Sequence, residues 1–427
     1  MTASTAGKTP AKIYNMSILH LLFGTCWATY FLSYMGRLNY AASMVEIGAD
    51  MGYTTSMLGL VATIMFISYG VGQLIGGILG DYLPPKVMAL CGTVVSAACN
   101  FIVAFSGNFT LLAVAWGVNG LAQSLIWSPI LRLFSMYMPD GVLYKSLVNI
   151  QSSCALGTCV TYLLAAGLVA ISGWRTMFFV SGGLLAAVSV WWFIAIGKVE
   201  RFSASLPAPV SATAAAPAAA QADEPAQKGS LWQILWSSGV ILTLIPMAAM
   251  GVLRDGVMTW VPEYAVGSFG ASPAFSIFLT AFLPLLNLSG VYAITPLRKK
   301  MSNEQHIAAL MFGIAGAAVA GLVLFGGKNL ILTILLFAII TSAMTGCNTA
   351  IISLMPAAFT KWGRTSASGG ILNAFCYVGS AVSGYGIGLL AEKAGWGAAQ
   401  VFWLASCGLG LLICLFVAPW WKRFKEK

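Results

Sequence analysis

Runs of apolar residues long enough to cross a lipid bilayer recur twelve times along the chain, near 17–43, 54–80, 86–106, 109–138, 143–172, 175–197, 236–266, 272–296, 305–326, 329–358, 365–391 and 397–421. A hydrocarbon core about 30 Å thick takes roughly 20 such residues per helix. In lipid every backbone N–H and C=O must find its partner within the protein, so only helices and closed barrels can span it. A barrel would alternate apolar and polar residues over short segments, and these runs do not alternate. Composition agrees, since 59% of the residues are hydrophobic and 8% charged, against about 25% charged in a soluble domain. The expected fold is an all-α membrane protein of twelve transmembrane helices, with the lipid bilayer as its surroundings.

The net charge of +10 is not a nucleic-acid footprint, because of where it lies. Most of the 22 Lys and Arg residues fall in the termini or in alternate connections: Lys8, Lys12, Lys86, Arg132, Lys145, Lys198, Arg201, Lys228, Arg298, Lys299, Lys300, Lys361, Arg364, Lys422, Arg423, Lys425 and Lys427. Only Arg175, Lys328 and Lys393 occupy the other connections. Positive loops stay inside, which puts both termini in the cytoplasm, in a bacterial inner (plasma) membrane. The basic loops then serve as topology signals and as partners for anionic lipid. The nine cysteines are scattered through apolar runs without a CxxC pair; they read as small buried residues, not disulfides or metal ligands. His20 and His306 stand alone at helix ends. The first apolar run is too long for a cleavable signal and lacks an A-x-A site.

The segment 201–230, "RFSASLPAPVSATAAAPAAAQADEPAQKGS", is dominated by Ala, Pro and Ser. It cannot bury a core and is expected to be a flexible cytoplasmic linker. It divides the chain into an N-terminal six-helix half, 1–200, and a C-terminal six-helix half, 231–427.

Within this apolar background two arginines stand out: Arg37 in "TYFLSYMGRLNYAASM" and Arg254 in "MAAMGVLRDGVMTWVP". Each lies in the first span of its half. A charge at that depth is retained where it faces a cavity, a partner or a ligand, so two at matched places suggest a shared anion site. Helical spacing adds polar stripes: Tyr30, Tyr34 and Arg37; Tyr69 and Gln73; Asn119, Gln123 and Trp127; Asn149, Ser152 and Ser153; Thr345, Asn348 and Thr349; Asn373, Tyr377 and Ser380. Polar groups facing lipid would go unsatisfied, so these faces should point inward, as cavity lining or as glue between helices. Arg254 is followed by Asp255. Neighbours on an α-helix point about 100° apart, so a direct pair between them is not expected. Glycines 70, 72, 76, 77 and 80 in the second span and 379, 384, 386 and 388 in the eleventh allow close and mobile helix packing.

Several of these stretches resemble the organophosphate:phosphate antiporters of the major facilitator superfamily. "YMGRLNY" is similar to their Arg-x-Asn-aromatic stretch in helix 1, "VNGLAQSLIWSPILR" to helix 4, "GWRTMFF" to the start of helix 6 and "LRDGVMTWVPEY" to helix 7. "GGILGDYLPPK", with Gly77, Asp81 and Lys86, resembles the turn that latches helices 2 and 3 in that superfamily; its copy in the second half, "VYAITPLRKK", lacks the acid. The resemblance implies the major facilitator fold with two pseudo-symmetric halves, and Arg37 and Arg254 as the pair that grips the phosphate. It implies Tyr30, Tyr34 and Tyr69 as pocket tyrosines. The chain departs from the family at three places: Gln73 replaces a helix 2 lysine, Ser152 a helix 5 histidine and Gly251 a tyrosine, while Asp255 is an added acid. The site is therefore less positive than the family's norm, which admits a less charged organic anion.

The function expected is alternating-access transport of a small organic anion, a phosphorylated metabolite or similar, in exchange for inorganic phosphate. Substrate contacts are assigned to Arg37, Arg254, Tyr30, Tyr34, Tyr69, Gln73, Ser152, Asn149, Asn373 and Tyr377, and coupling or gating to Asp255, Asp81 and Lys86. Two alternatives stand: a proton-coupled symporter of an organic acid, with Asp255 or Glu263 carrying the proton, and a transporter-like sensor of a phosphorylated sugar. No nucleophile–base pair or metal cluster suggests an enzyme, no cofactor or nucleic acid is implied, and a monomer is expected.

Overall fold

The computed structural model describes residues 12–206, 231–362 and 365–426; among these, the side chains of residues 77–82, 140, 144, 148, 151, 231, 357, 360–362 and 365–367 lie outside the described ones. Five helices cross before the linker region as α1 Met16–Met51, α2 Thr55–Tyr82, α3 Pro85–Ala104, α4 Phe109–Tyr137 and α5 Gly141–Ser172. Helix α6, Trp174–Ser205, continues into the stretch that composition assigns to the linker; the rest of that stretch, 207–230, lies outside the described residues. The second half holds α7 Val240–Phe269, α8 Pro273–Lys300, α9 Glu304–Phe325 and α10 Leu330–Leu354. A last 61-residue helical stretch is broken at Gly395 into α11, 365–394, and α12, 396–425.

The turns show that the halves repeat one plan. Gly52 closes α1 and Gly270 closes α7, both in the left-handed region, at φ 68° and 62°. Gly173 and Gly395 join α5 to α6 and α11 to α12 with φ, ψ of 79°, 171° and 77°, 170°, and each is followed by a tryptophan. Only glycine takes these angles without cost. Asn108 and Asn329 cap α4 and α10, their side chains accepting from Leu111 N and Leu332 N at 2.8 and 3.0 Å. A capping asparagine satisfies one of the free N–H groups that begin a helix. Large apolar side chains such as Val114, Phe193, Leu332 and Phe416 cover the outside, as lipid requires.

The halves meet through α2 against α11, α5 against α7 and α8, and α1 against α7. The α2–α11 seam is built on small residues: a Cβ at Gly59 would strike the Gly384 carbonyl, and one at Gly388 would strike Thr55 and Trp260. Hydrogen bonds between the halves include five among the described residues. Thr55 Oγ1 donates to Glu263 Oε1 at 2.6 Å, Thr63 Oγ1 to the Ala381 carbonyl at 2.6 Å, and Tyr385 N to Thr63 Oγ1 at 2.7 Å. Ser56 N donates to Glu392 Oε2 at 2.9 Å and Tyr162 Oη to the Met258 carbonyl at 3.4 Å. All lie in the half of the bundle away from the linker. These bonds tie the two halves together on the far side.

The turn between α2 and α3 keeps Lys86, whose Nζ pairs with Glu200 on α6 at 3.4 Å and lies 4.4 Å from the Phe193 ring centroid. The expected partner Asp81 lies outside the described side chains.

Candidate functional site

Arg37 is aimed by a buried polar cluster directly behind it. The Gly36 carbonyl accepts from Asn100 Nδ2 on α3 at 3.1 Å and from Asn119 Nδ2 on α4 at 2.9 Å. Ser96 Oγ donates to Asn119 Oδ1 at 2.6 Å, Gln123 Nε2 to Ser96 Oγ at 2.8 Å and Asn39 Nδ2 to Asn100 Oδ1 at 2.7 Å. All five side chains are buried, and each bond left unmade there would cost about 1–3 kcal/mol. The stripe Asn119–Gln123 is thus helix–helix glue that fixes the rotation of α1. Gly36 leaves room for this cluster: a Cβ there would meet the Leu185 side-chain tip and crowd the Asn100 and Gln123 amides.

So oriented, the guanidinium of Arg37 lies over two rings, at 4.3 Å from the Tyr34 centroid and 5.0 Å from that of Tyr69. Such contacts contribute about 0.5–2 kcal/mol each. Among the described residues Arg37 makes no ion pair. Tyr30 stacks on Trp127 at 4.7 Å and meets Tyr34 edge-on at 5.4 Å. From the opposite half Tyr377 leans on Tyr69 at 4.9 Å, and it lies within electrostatic reach of both Arg37 and Arg254. The Tyr69–Tyr377 contact thus links the ring cage of Arg37 to the opposite half.

Arg254 is held differently, and here the sequence expectation is corrected. Its Nε and Nη2 donate to Asp255 Oδ1 and Oδ2 at 2.7 and 3.0 Å, a two-pronged pair between sequence neighbours. The side chains are 19% and 22% exposed. The reason is local: Val252–Gly256 is a π-helical turn, wider than an α turn, so neighbouring side chains diverge less than on an α-helix and the long arginine side chain can fold back onto Asp255. Such turns recur at functional positions. The remaining edge, Nη1, donates to Asn348 Oδ1 on α10 at 2.6 Å, and Nη2 approaches Cys376 Sγ on α11 at 3.5 Å. Asp255 Oδ2 also accepts from Ser380 Oγ at 2.9 Å. A second π turn, Thr349–Leu354, follows Asn348.

Gly251 and Gly256 let α11 come this close. A Cβ at Gly251 would overlap the Cys376 carbonyl and Ser380 N, and one at Gly256 would overlap Ser383 Oγ. Gly251 thus brings Cys376 and Ser380 to the arginine–aspartate pair.

The other expected contacts divide. Arg37, Tyr30, Tyr34, Tyr69 and Tyr377 come together, and Arg254 and Asp255 face them. Ser152 Oγ accepts from Trp27 Nε1 at 2.9 Å and donates to the Asn149 carbonyl at 2.7 Å, while the Asn149 side chain is exposed. Gln73 directs Nε2 at the Ser124 carbonyl on α4 at 3.4 Å. Asn373 is half-buried one helical turn before Tyr377. Sequence reasoning placed Asn348 and Ser380 only in stripes, and read Cys376 as plain core. Their signal was spacing alone: Ser380 lies four residues after Cys376, on the same face.

The Major Facilitator Superfamily profile matches residues 26–382. The chain belongs to the major facilitator superfamily. Its curated relatives are organophosphate-antiporter-type members and their kin. A probable sulfoacetate transporter, SauU, of Cupriavidus necator is 24% identical over 412 residues, 94% of this chain and 94% of that protein. A probable hexose phosphate transport protein of Chlamydia muridarum is 23% identical over 428 residues, covering 95% and 91%. Among solved structures, a D-xylose-proton symporter superposes with TM-score 0.70 at 12% identity over 96% of this chain and 98% of that one, a likeness of fold alone. The chain is therefore an integral membrane transporter of twelve helices, and the resemblance read from its motifs holds.

Proposed function

We propose that this transporter carries a small organic anion by alternating access, in exchange for inorganic phosphate, across a bacterial inner membrane with both termini in the cytoplasm. The observation that carries the reading is Arg37: a half-buried guanidinium on α1, caged by Tyr34 and Tyr69, without an ion pair among the described residues. Its planar fork offers two parallel bonds to a phosphate, sulfonate or carboxylate group and stays protonated throughout. An anion there reaches toward Tyr377 and Arg254 on the other half. It can draw the halves together on the linker side while the five far-side bonds release. Binding energy spent on the closing motion makes the loaded form the one that crosses over. Release of one anion then requires capture of another, which is exchange.

The test is counterflow. Purified protein in liposomes loaded with phosphate should accumulate labelled substrate without any pH gradient. Absence of phosphate-driven uptake, with uptake driven instead by an inward proton gradient, overturns exchange. A second reading, proton-coupled symport, has one observation in its favour. Glu263 on α7 closes the far side through Thr55, and its Oε2 is buried without a hydrogen-bond partner.

A further inference from the structure

The two halves repeat their arginine, but not its surroundings. In the first half Arg37 is followed by Leu38, and the nearest neighbours of its guanidinium are tyrosine rings. In the second half Arg254 is followed by Asp255, which takes two of its nitrogens, while Asn348 takes the third. The site therefore has two arginines and one carboxylate. Asp255 is not free to leave: Ser380 holds its Oδ2, and the backbone approach permitted by Gly251 holds Ser380. The carboxylate also lies within electrostatic reach of Arg37, so it lowers the positive potential across the whole gap.

We infer, resting on the anion-transport reading above, that Asp255 is the charge-selecting residue of the site, which takes singly charged oxyanions and discriminates against doubly charged ones. The physical ground is that one guanidinium is left to be neutralised. A monoanion such as a sulfonate, a sulfate ester or a singly protonated phosphate ester matches it. A dianion brings a second charge that faces the Asp255 carboxylate in a partly buried site, where like charges several ångströms apart repel more strongly than in bulk water. Inorganic phosphate, on this account, enters as its singly charged form. Asn348 and Cys376, both neutral, fill the space around Arg254 and add no cation that would accommodate the extra charge.

The probes are ethyl sulfate and ethyl phosphate, which share shape and differ in charge. The first is singly charged at every working pH. The second loses its last proton near pH 6, as phosphate monoesters do. Binding to the purified wild-type protein is measured by calorimetry or competition from about pH 5 to about pH 8. Arginine stays protonated throughout such a range, and the ethyl sulfate arm reports any change in the protein itself. The expected result is a flat profile for ethyl sulfate. Ethyl phosphate should weaken on the order of a hundredfold across the range, following loss of its monoanion. In Asp255→Asn, ethyl phosphate at the alkaline end should regain on the order of tenfold to a hundredfold relative to ethyl sulfate, because the repelling charge is gone. Equal or tighter binding of ethyl phosphate at alkaline pH in the wild type overturns the inference, as does an unchanged ratio in a folded Asp255→Asn protein. If that variant does not fold, the wild-type titration decides alone. Because these are binding measurements, a protein that selects monoanions yet fails the counterflow test would remove the transport reading and leave the charge selection standing.

Discussion

Arg37→Lys is the substitution that most directly probes the anion site. Lysine keeps the positive charge and most of the stem, but replaces a planar fork by a point charge with no fixed pair of donors. A charge-assisted hydrogen bond contributes about 1.5–3 kcal/mol. Losing one of two parallel bonds to the anion should therefore weaken binding roughly tenfold to a hundredfold, at about 1.4 kcal/mol per factor of ten. Losing the flat stacking on Tyr34 and Tyr69, at 4.3 and 5.0 Å, adds to this, since guanidinium is the better partner for a ring face. Folding should be spared, because the buried bonds of α1 run through the Gly36 carbonyl and Asn39 and not through the Arg37 side chain. The assay is paired: thermal stability of the purified variant in detergent, and substrate affinity and initial exchange rate in liposomes. A stable protein with strongly weakened binding is expected. Wild-type affinity in a folded Arg37→Lys protein would remove Arg37 from the site, and a large loss of stability would show that the guanidinium is structural.

Two further substitutions test the surroundings of the site. Gly251→Ala should push α11 away from α7, because its Cβ meets the Cys376 carbonyl and Ser380 N. Such overpacking destabilises by about 1–3 kcal/mol, and a lowered melting temperature should come with weakened anion binding, whereas Gly313→Ala, where a Cβ meets nothing within contact range, should change neither. Thr55→Val removes the 2.6 Å bond to Glu263 that crosses the halves; the bundle should spend more time open on the far side, read as a longer distance between spin labels placed on the α1–α2 and α7–α8 turns, and an unchanged distance distribution would show that this bond does not latch the gate.

Several features of the site were legible because they rest on one element at a time. Arg37, Tyr34 and Tyr30 share a face at helical spacing, and they do meet. Arg254 announced itself by depth in an apolar run. Other features depended on the backbone departing from an ideal α-helix or on a second helix. The Arg254–Asp255 pair was unexpected because helical geometry separates neighbours, and the π turn at Val252–Gly256 narrows that separation enough for the long arginine to fold back. Gln73 shares the Tyr69 face, yet its amide turns to the Ser124 carbonyl on α4, which no spacing on α2 foretells. Ser152 is engaged with Trp27, a contact between α5 and α1.

The chain's own sequence determined that it crosses the membrane as helices, because apolar length and backbone hydrogen bonding leave a spanning segment no other form. It pointed to a division into halves, because the Ala- and Pro-rich segment lacks the large apolar residues of a core, and it placed the corner glycines whose positive φ other residues resist. Tertiary structure decided what each buried charge faces. Arg37 gained rings and no acid, while Arg254 gained Asp255, Asn348 and Cys376, because glycines on α7 and α11 allow two backbones to touch. It also decided how the halves are tied together on the far side, since the bonds of Thr55, Thr63 and Tyr385 exist only once the two halves are brought together. Those are relations between helices far apart in the chain, and no local pattern encodes the distance between them.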